Sequence, residues 1–242
     1  MLDKAGIKEY VFLYDRILRD HQIVVTSEDL YNIYQLILLT FDLDDLYDST
    51  ECPPDKSKIA KIKQAMILLM PDRHSIALNS IDLVFEAMEE ESHADLSQSL
   101  HLYLSVCGKS IGAQLITGYL ASKNQVELNI WLSDVIIKFN NDINDLIRLA
   151  NDYLDVTIDV SRILAEVPQL KSIKFFHSKF EFKAYLSARY ILHKIRYYFY
   201  SIYFKCLDRK NYSIAINCIE SVLEFAVKAY INDKKSFREP AI

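Results

Sequence analysis

Four glycines and five prolines in 242 residues leave this chain few ways of turning sharply, and that scarcity constrains its fold more than any other feature. Strands joined by tight turns draw on both residue types, because glycine supplies the positive φ and proline the fixed φ that such turns need. Long helices are the alternative. Half of the chain is apolar (51%), and a chain of this length can bury one sizeable core without a second domain. The expectation is an all-α, single-domain antiparallel helical bundle over residues 1–242.

The formal charge of −5 and the pI near 5.7 argue against a general nucleic-acid or anionic-membrane binder, whose basic surface would dominate the count. No nucleic-acid partner is expected, and an anionic ligand has to be met by a local group of cations. Cys52, Cys107, Cys206 and Cys218 are scattered without metal-type pair spacing, and a large core stands without disulfides, so a reducing, cytoplasmic setting is expected. The opening MLDKAGIKEY carries no long apolar run, and no later stretch reaches the roughly 18 uninterrupted apolar residues that a membrane span requires.

Helical periodicity begins with Tyr10, Leu13, Tyr14 and Leu18 and breaks near residues 20–25. Thr26 followed by Asp29 resembles a capping box and opens a helix that runs through LYNIYQLILLTFDLDDLYD to Pro53 and Pro54. Further helices are expected at 56–69, 74–91, 94–120, 126–165, 180–207 and 211–232, with Pro71, Pro168 and Pro240 in the gaps. The run Glu89-Glu90-Glu91 reads as a solvated helix end. Arg162, Lys171, Lys174, Lys179 and Lys183 make 162–183 locally basic, which fits either a solvated loop or a lid facing phosphate.

Two acidic clusters carry the chemistry. The apolar row Leu30, Ile33, Ile37, Phe41 arrives, by steps of three or four, at Asp44, Asp45 and Asp48, as if the carboxylates continued the inward face. Three acids there repel one another and are costly to desolvate unless a cation or water meets them, so the cluster is either a solvated helix end or a divalent-ion site. Magnesium suits such donors, since it takes one or two carboxylates and fills its octahedron with water and phosphate oxygens. On a later helix Trp131, Val135, Phe139, Ile143 and Ile147 step by four into Asn151, Asp155 and Asp159, near neighbours on one face. Asp152 points elsewhere on that reading, as a surface acid or one supporting the ligands. His74, His93, His101, His177 and His193 show no triad or metal spacing.

Together, DDLYD (Asp44–Asp48) and NDYLDVTID (Asn151–Asp159) resemble the paired metal motifs, DDxxD and NDxxSxxxE, of class I terpene synthases. Aspartate stands at Asp155 where that family has Ser or Thr, and at Asp159 where it has Glu; both keep an oxygen donor. The resemblance implies the class I isoprenoid synthase fold, a helical bundle around a central active-site cavity. It also implies a prenyl diphosphate substrate and Mg2+ held by Asp44, Asp45, Asp48, Asn151, Asp155 and Asp159. A homodimer is implied too, because that family often forms one. The family's diphosphate-sensing arginine belongs in a stretch resembling YLSVCGKSIG (103–112), where this chain has none and Lys109 is the nearest cation. Arg162, three residues after Asp159, resembles the basic residue that often follows the second motif, and Arg238 in KKSFREP resembles a terminal Arg-Tyr pair without its tyrosine.

The activity implied is ionisation of a farnesyl, geranylgeranyl or bicyclic diterpenyl diphosphate, followed by cyclisation or rearrangement of the carbocation in an apolar pocket. Phe41, Ile37, Trp131 and Ile147 are the pocket candidates, with Tyr153 a further aromatic one. Two other functions remain open. NDYLDVTID also resembles the DDxxDVxGD segment of chain-elongating prenyl diphosphate synthases, with Lys109-Ser110 echoing that family's Lys-Thr pair, although no GGKRxRP-like segment is present. A non-catalytic helical binding protein of the same fold fits the altered second motif.

Overall fold

The computed structural model describes residues 13–47, 55–71, 75–96, 99–158, 175–176, 178–207 and 209–232, and among these every regular element is a helix. Helix α1 covers 13–20. Then follow α2 (Ser27–Tyr47), α3 (Lys56–Leu69), α4 (Ser75–His93), α5 (Leu100–Ser110), α6 (Ala113–Lys123), α7 (Leu128–Trp131), α8 (Asp134–Ile158), α9 (Lys179–Cys206) and α10 (Lys210–Asn232). No helix of the described residues is long and apolar enough to cross a membrane.

Local chemistry accounts for where the helices start. The Thr26 N–H donates to Asp29 Oδ2 (2.7 Å) and the Asp29 N–H donates back to Thr26 Oγ1 (3.2 Å), the reciprocal pair of a capping box. Asp55 caps α3 by accepting from the Ser57 and Lys58 N–H groups, and Ser178 caps α9 by accepting from Glu181 N–H at 3.1 Å. Asp29 does more than cap. It is 3% exposed, accepts from Tyr119 Oη at 2.8 Å and lies 3.0 Å from Lys123 Nζ, so the same carboxylate fastens the start of α2 to α6.

Two helices expected from the sequence are each divided. The 94–120 stretch is two helices, α5 and α6, separated at Gly112, whose φ of +78° strains any residue with a Cβ. A Cβ there would also lie 2.5 Å from Thr40 Cγ2, so glycine serves both the turn and the approach of α2. The 126–165 stretch has a short α7 before α8. Ser133 sits in the break, and its hydroxyl donates to Ile130 O (2.6 Å), a local bond that competes with helix continuation.

Helix α6 forms the axis of the bundle. Every residue from Ala113 to Ser122 is buried, as expected of a helix with apolar or small side chains all round. Around it pack α2, α4, α8 and α10, with α3 outside α2, α5 between α4 and α8, and α9 outside α8 and α10. The main core joins Leu18, Leu36, Leu43, Met66, Phe139, Ile143 and Leu223. A second apolar cluster, with Tyr103, Leu104, Cys107, Leu149 and Phe182, fills the space between α5, α8 and the start of α9.

Candidate functional site

The first acidic motif sits on the last turn of α2, but not on its inward face. The buried residues of α2 include Leu30, Ile33, Leu36, Thr40 and Leu43, a row advancing by mixed steps of three and four. A row taken only by fours drifts about 40° per step, and by Phe41 it has left the core. Phe41 is 43% exposed, and Asp44 and Asp45 are exposed beside it, so water removes the desolvation penalty that three inward carboxylates would have carried. Asp48 lies outside the described residues.

The second motif shows the same drift. Phe139, Ile143 and Ile147 are buried, but beyond them Leu149 and Asp152 take the inward positions. Asn151 is half-buried, Asp155 is helical with its side chain outside the described residues, and Asp159 lies outside them altogether. Asp152 is no surface acid: it is fully buried, accepts from Tyr103 Oη at 2.8 Å and pairs with Arg148 Nε at 3.3 Å. Arg148 also donates to Tyr103 Oη (2.9 Å), stands over that ring (5.5 Å) and reaches Glu91 Oε1 (3.7 Å). Glu91 is also bonded by the Ser110 hydroxyl, so the last acid of the 89–91 run belongs to this network instead of to solvent. Opposite charges raise the Arg148 pKa against the pull of burial, and burial raises that of the Cys107 thiol beside it.

Cross-helix contacts fix how the two motifs are oriented. Along α2 and α6, Asp29 meets Tyr119 and Thr40 meets Gly112, so these helices are antiparallel. Along α8, Asn140 accepts from Thr117 (3.3 Å), Asp145 lies against Gly108 and Asp152 binds Tyr103, so α8 runs opposite to α5 and α6 in turn. Helices α2 and α8 are therefore parallel to one another. Each passes the Gly108–Gly112 hinge and ends on the same side of it, one turn (about 6 Å) past Thr40 for Asp44 and about 9 Å past Asp145 for Asn151. Asp44, Asp45 and Asn151 thus lie toward the α5 end of the bundle. Half-buried Lys109 stands at the hinge, and among the described residues its ammonium pairs with no carboxylate.

A second polar network, which the sequence reading did not find, joins α8, α9 and α10. His193 is fully buried, with Nδ1 3.0 Å from Asp142 and Nε2 2.7 Å from Glu220, while its ring stacks on Phe139 at 4.8 Å. Arg189 bridges Asp142 (2.7 Å) and Asp145 (3.2 Å), and Lys194 bonds Glu220. Burial pushes the Asp145 carboxyl up to about 6 in spite of Arg189. Burial alone would raise Asp142 as well, but the hydrogen bond from His193 and the Arg189 charge hold it below its ordinary value. With a carboxylate on each ring nitrogen, His193 is raised although burial opposes its charge. The spacing Asp142, Asp145 against Arg189, His193 carries no local signature; only packing of α9 on α8 brings them together. Asn144, 1% exposed, has no hydrogen-bond partner for either side-chain polar atom among the described residues.

Of the pocket candidates, Ile37 is half-buried against the main core, and Trp131 and Ile147 are packed within it. Tyr153, in the middle of the second motif, meets Phe182 edge-on at 5.7 Å, and Phe182 stacks on Phe176 at 4.9 Å. Arg162 and Arg238 lie outside the described residues. Among the described side chains no group of three His, Cys, Asp or Glu is placed to hold a metal ion. The oxygen donors that are described, Asp44, Asp45 and half-buried Asn151, are of the chemistry magnesium prefers and are open to water, as an ion that retains several waters requires.

Comparison of the chain with protein-family models, with curated proteins and with solved structures returns no match.

Proposed function

We propose that the protein is a class I terpene synthase that binds a prenyl diphosphate at the α5 end of its bundle. One observation carries this reading. Asp44 and Asp45 on α2 and Asn151 on α8 stand on parallel helices on the same side of the Gly108–Gly112 hinge, with Lys109 at that hinge. Oxygen donors from two helices around a common end are what a diphosphate bridged by metal ions requires. Asp44, Asp45 and Asp48 of the first motif and Asn151, Asp155 and Asp159 of the second would hold the magnesium. Magnesium held there would supply positive charge against that of the departing diphosphate.

The chain's own groups do the rest. Lys109 and Arg162 bind diphosphate oxygens, and Arg238 contributes a further cation. The aromatic cluster beside the second motif, with Tyr153 and Phe182, offers ring faces to an apolar chain and to a carbocation. Asp152 stays with Arg148 and Tyr103 and keeps the end of α8 in register.

Purified protein incubated with farnesyl or geranylgeranyl diphosphate, with and without magnesium, tests the proposal through products read by gas chromatography with mass detection. A magnesium-dependent cyclic or rearranged hydrocarbon is expected. A longer linear diphosphate formed only when isopentenyl diphosphate is added would instead make the protein an elongating prenyltransferase. Magnesium-dependent binding without turnover would make it a non-catalytic binder.

A further inference from the structure

Helix α9 is apolar on its outward face as well as on its inward one, where Phe182, Tyr197 and Phe204 meet the core. Its inward face carries Arg189, His193 and Lys194 onto the carboxylates of α8 and α10, while Ile191, Ile195, Tyr198, Phe199, Ile202 and Tyr203 face outward, from 44% exposed at Ile202 to 64% at Phe199. At about 100° per residue, the stripe centred on Ile195 is roughly 160° wide and, from Ala184 to Cys206, about 33 Å long without a charged side chain. Lys194, Arg196 and Lys205 lie only along its edges. Half- to two-thirds-exposed rings and branched chains over that length present on the order of 800 Å² of apolar surface. That exceeds the largest patch of a typical monomer and matches what each partner of a standard stable interface contributes.

We propose that this face is the contact surface of a two-fold homodimer in which α9 packs antiparallel on α9 of a second copy, crossing at Ile195. The face suits its own reversal. Its first half presents Ala184, Ala188, Ile191 and Leu192, and its second half Tyr198, Phe199, Ile202 and Cys206. In an antiparallel pair centred on Ile195, Ile191 meets Phe199, Leu192 meets Tyr198, Ala188 meets Ile202 and Ala184 meets Cys206, so apolar side chains face apolar ones along the whole stripe. Each copy makes the same contact, as a closed two-fold interface demands. At the ends, exposed Glu181 of one copy approaches the Arg209–Lys210 corner of the other, a complementary pair. A lipid surface fits less well: the cations Arg189, Lys194 and Arg196 are paired with carboxylates, and the chain as a whole carries −5.

Two measurements test the proposal. Sedimentation of the full chain at micromolar concentration is expected to give a dimer, and Ile195→Asp, which sets two like charges on the two-fold axis, a monomer with unchanged helical circular dichroism. In a Cys52→Ser background, Ala184→Cys is expected to cross-link to Cys206 of the second copy under mild oxidation. Without Ala184→Cys the same background stays uncross-linked, because in the antiparallel register the two Cys206 thiols stand about 33 Å apart along the helices. A wild-type monomer overturns the proposal, whether it remains free or floats with phosphatidylcholine–phosphatidylserine vesicles. Cross-linking of Cys206 to Cys206 in preference to the thiol introduced by Ala184→Cys overturns it too, because it requires a parallel pair.

Discussion

Asp152 shows how one side chain can hold a motif in place without taking part in it. It is fully buried, and Arg148 and Tyr103 provide its compensation. Breaking a buried pair by removing one partner leaves an uncompensated charge, so Arg148→Met is expected to lower unfolding stability by about 3–5 kcal/mol, measured by urea denaturation. The same variant read against Asp152→Asn separates the pair from the cavity. His193 gives a pH-dependent counterpart. Its bonds to Asp142 and Glu220 raise its pKa above the ordinary 6.5, although burial alone would lower it. A raised native pKa contributes stability that is complete below the unfolded value and is lost as pH rises through the native one. The stability gap between wild type and His193→Gln is therefore expected to be widest below about pH 6.5 and to narrow as pH is raised, in unfolding curves taken across that range. At this scale the sequence was a partial guide. It marked the two acidic motifs, but following rows of four carried Asp44 and Asn151 inward when the buried rows, moving by 3.6, pass instead through Leu43 and Asp152. The His193 network was not legible, since Asp142 is 51 and Glu220 27 residues from His193, and they meet only through the packing of α9 on α8 and α10.

Among elements, helix identity was legible and helix continuity less so. The bounds of α3 follow directly from Asp55 as cap and from its apolar stripe, and α4, α9 and α10 agree with expectation to within two residues. The division of α5 from α6 was not legible because an isolated glycine in a helical pattern is ordinarily tolerated, as at Gly108 and Gly118 within α5 and α6. At Gly112 it is not ornamental: φ is +78° and Thr40 leaves no room for a Cβ. Gly112→Ala is expected to destabilise the fold by more than about 1 kcal/mol in thermal or urea unfolding, with a larger effect than alanine at most helix ends. Asp29→Ala removes the acceptor of the Thr26 N–H and of the Tyr119 hydroxyl, and on the order of 2 kcal/mol is expected from the same measurement.

Across the whole molecule, the arrangement of α2 and α8 about α6 brings Asp44 and Asp45 of one motif and Asn151 of the other, about 100 residues apart, toward one end of the bundle. The order of the motifs was visible in the chain, but their common end was not, because it depends on which way each helix passes the Gly108–Gly112 hinge. Lys109 stands at that hinge, half-buried and without a carboxylate partner among the described residues. Lys109→Ala is expected to weaken diphosphate affinity about tenfold, the effect of losing roughly 1.4 kcal/mol, while leaving the unfolding midpoint unchanged. The most direct test of the central claim is titration calorimetry of a non-ionisable farnesyl thiodiphosphate into wild type, Asp45→Asn and Asn151→Ala, with and without magnesium. The account predicts magnesium-dependent binding that each substitution weakens at least tenfold, one from each helix. Equal affinity in all three proteins, or binding indifferent to magnesium, would show that the two motifs do not form one diphosphate site.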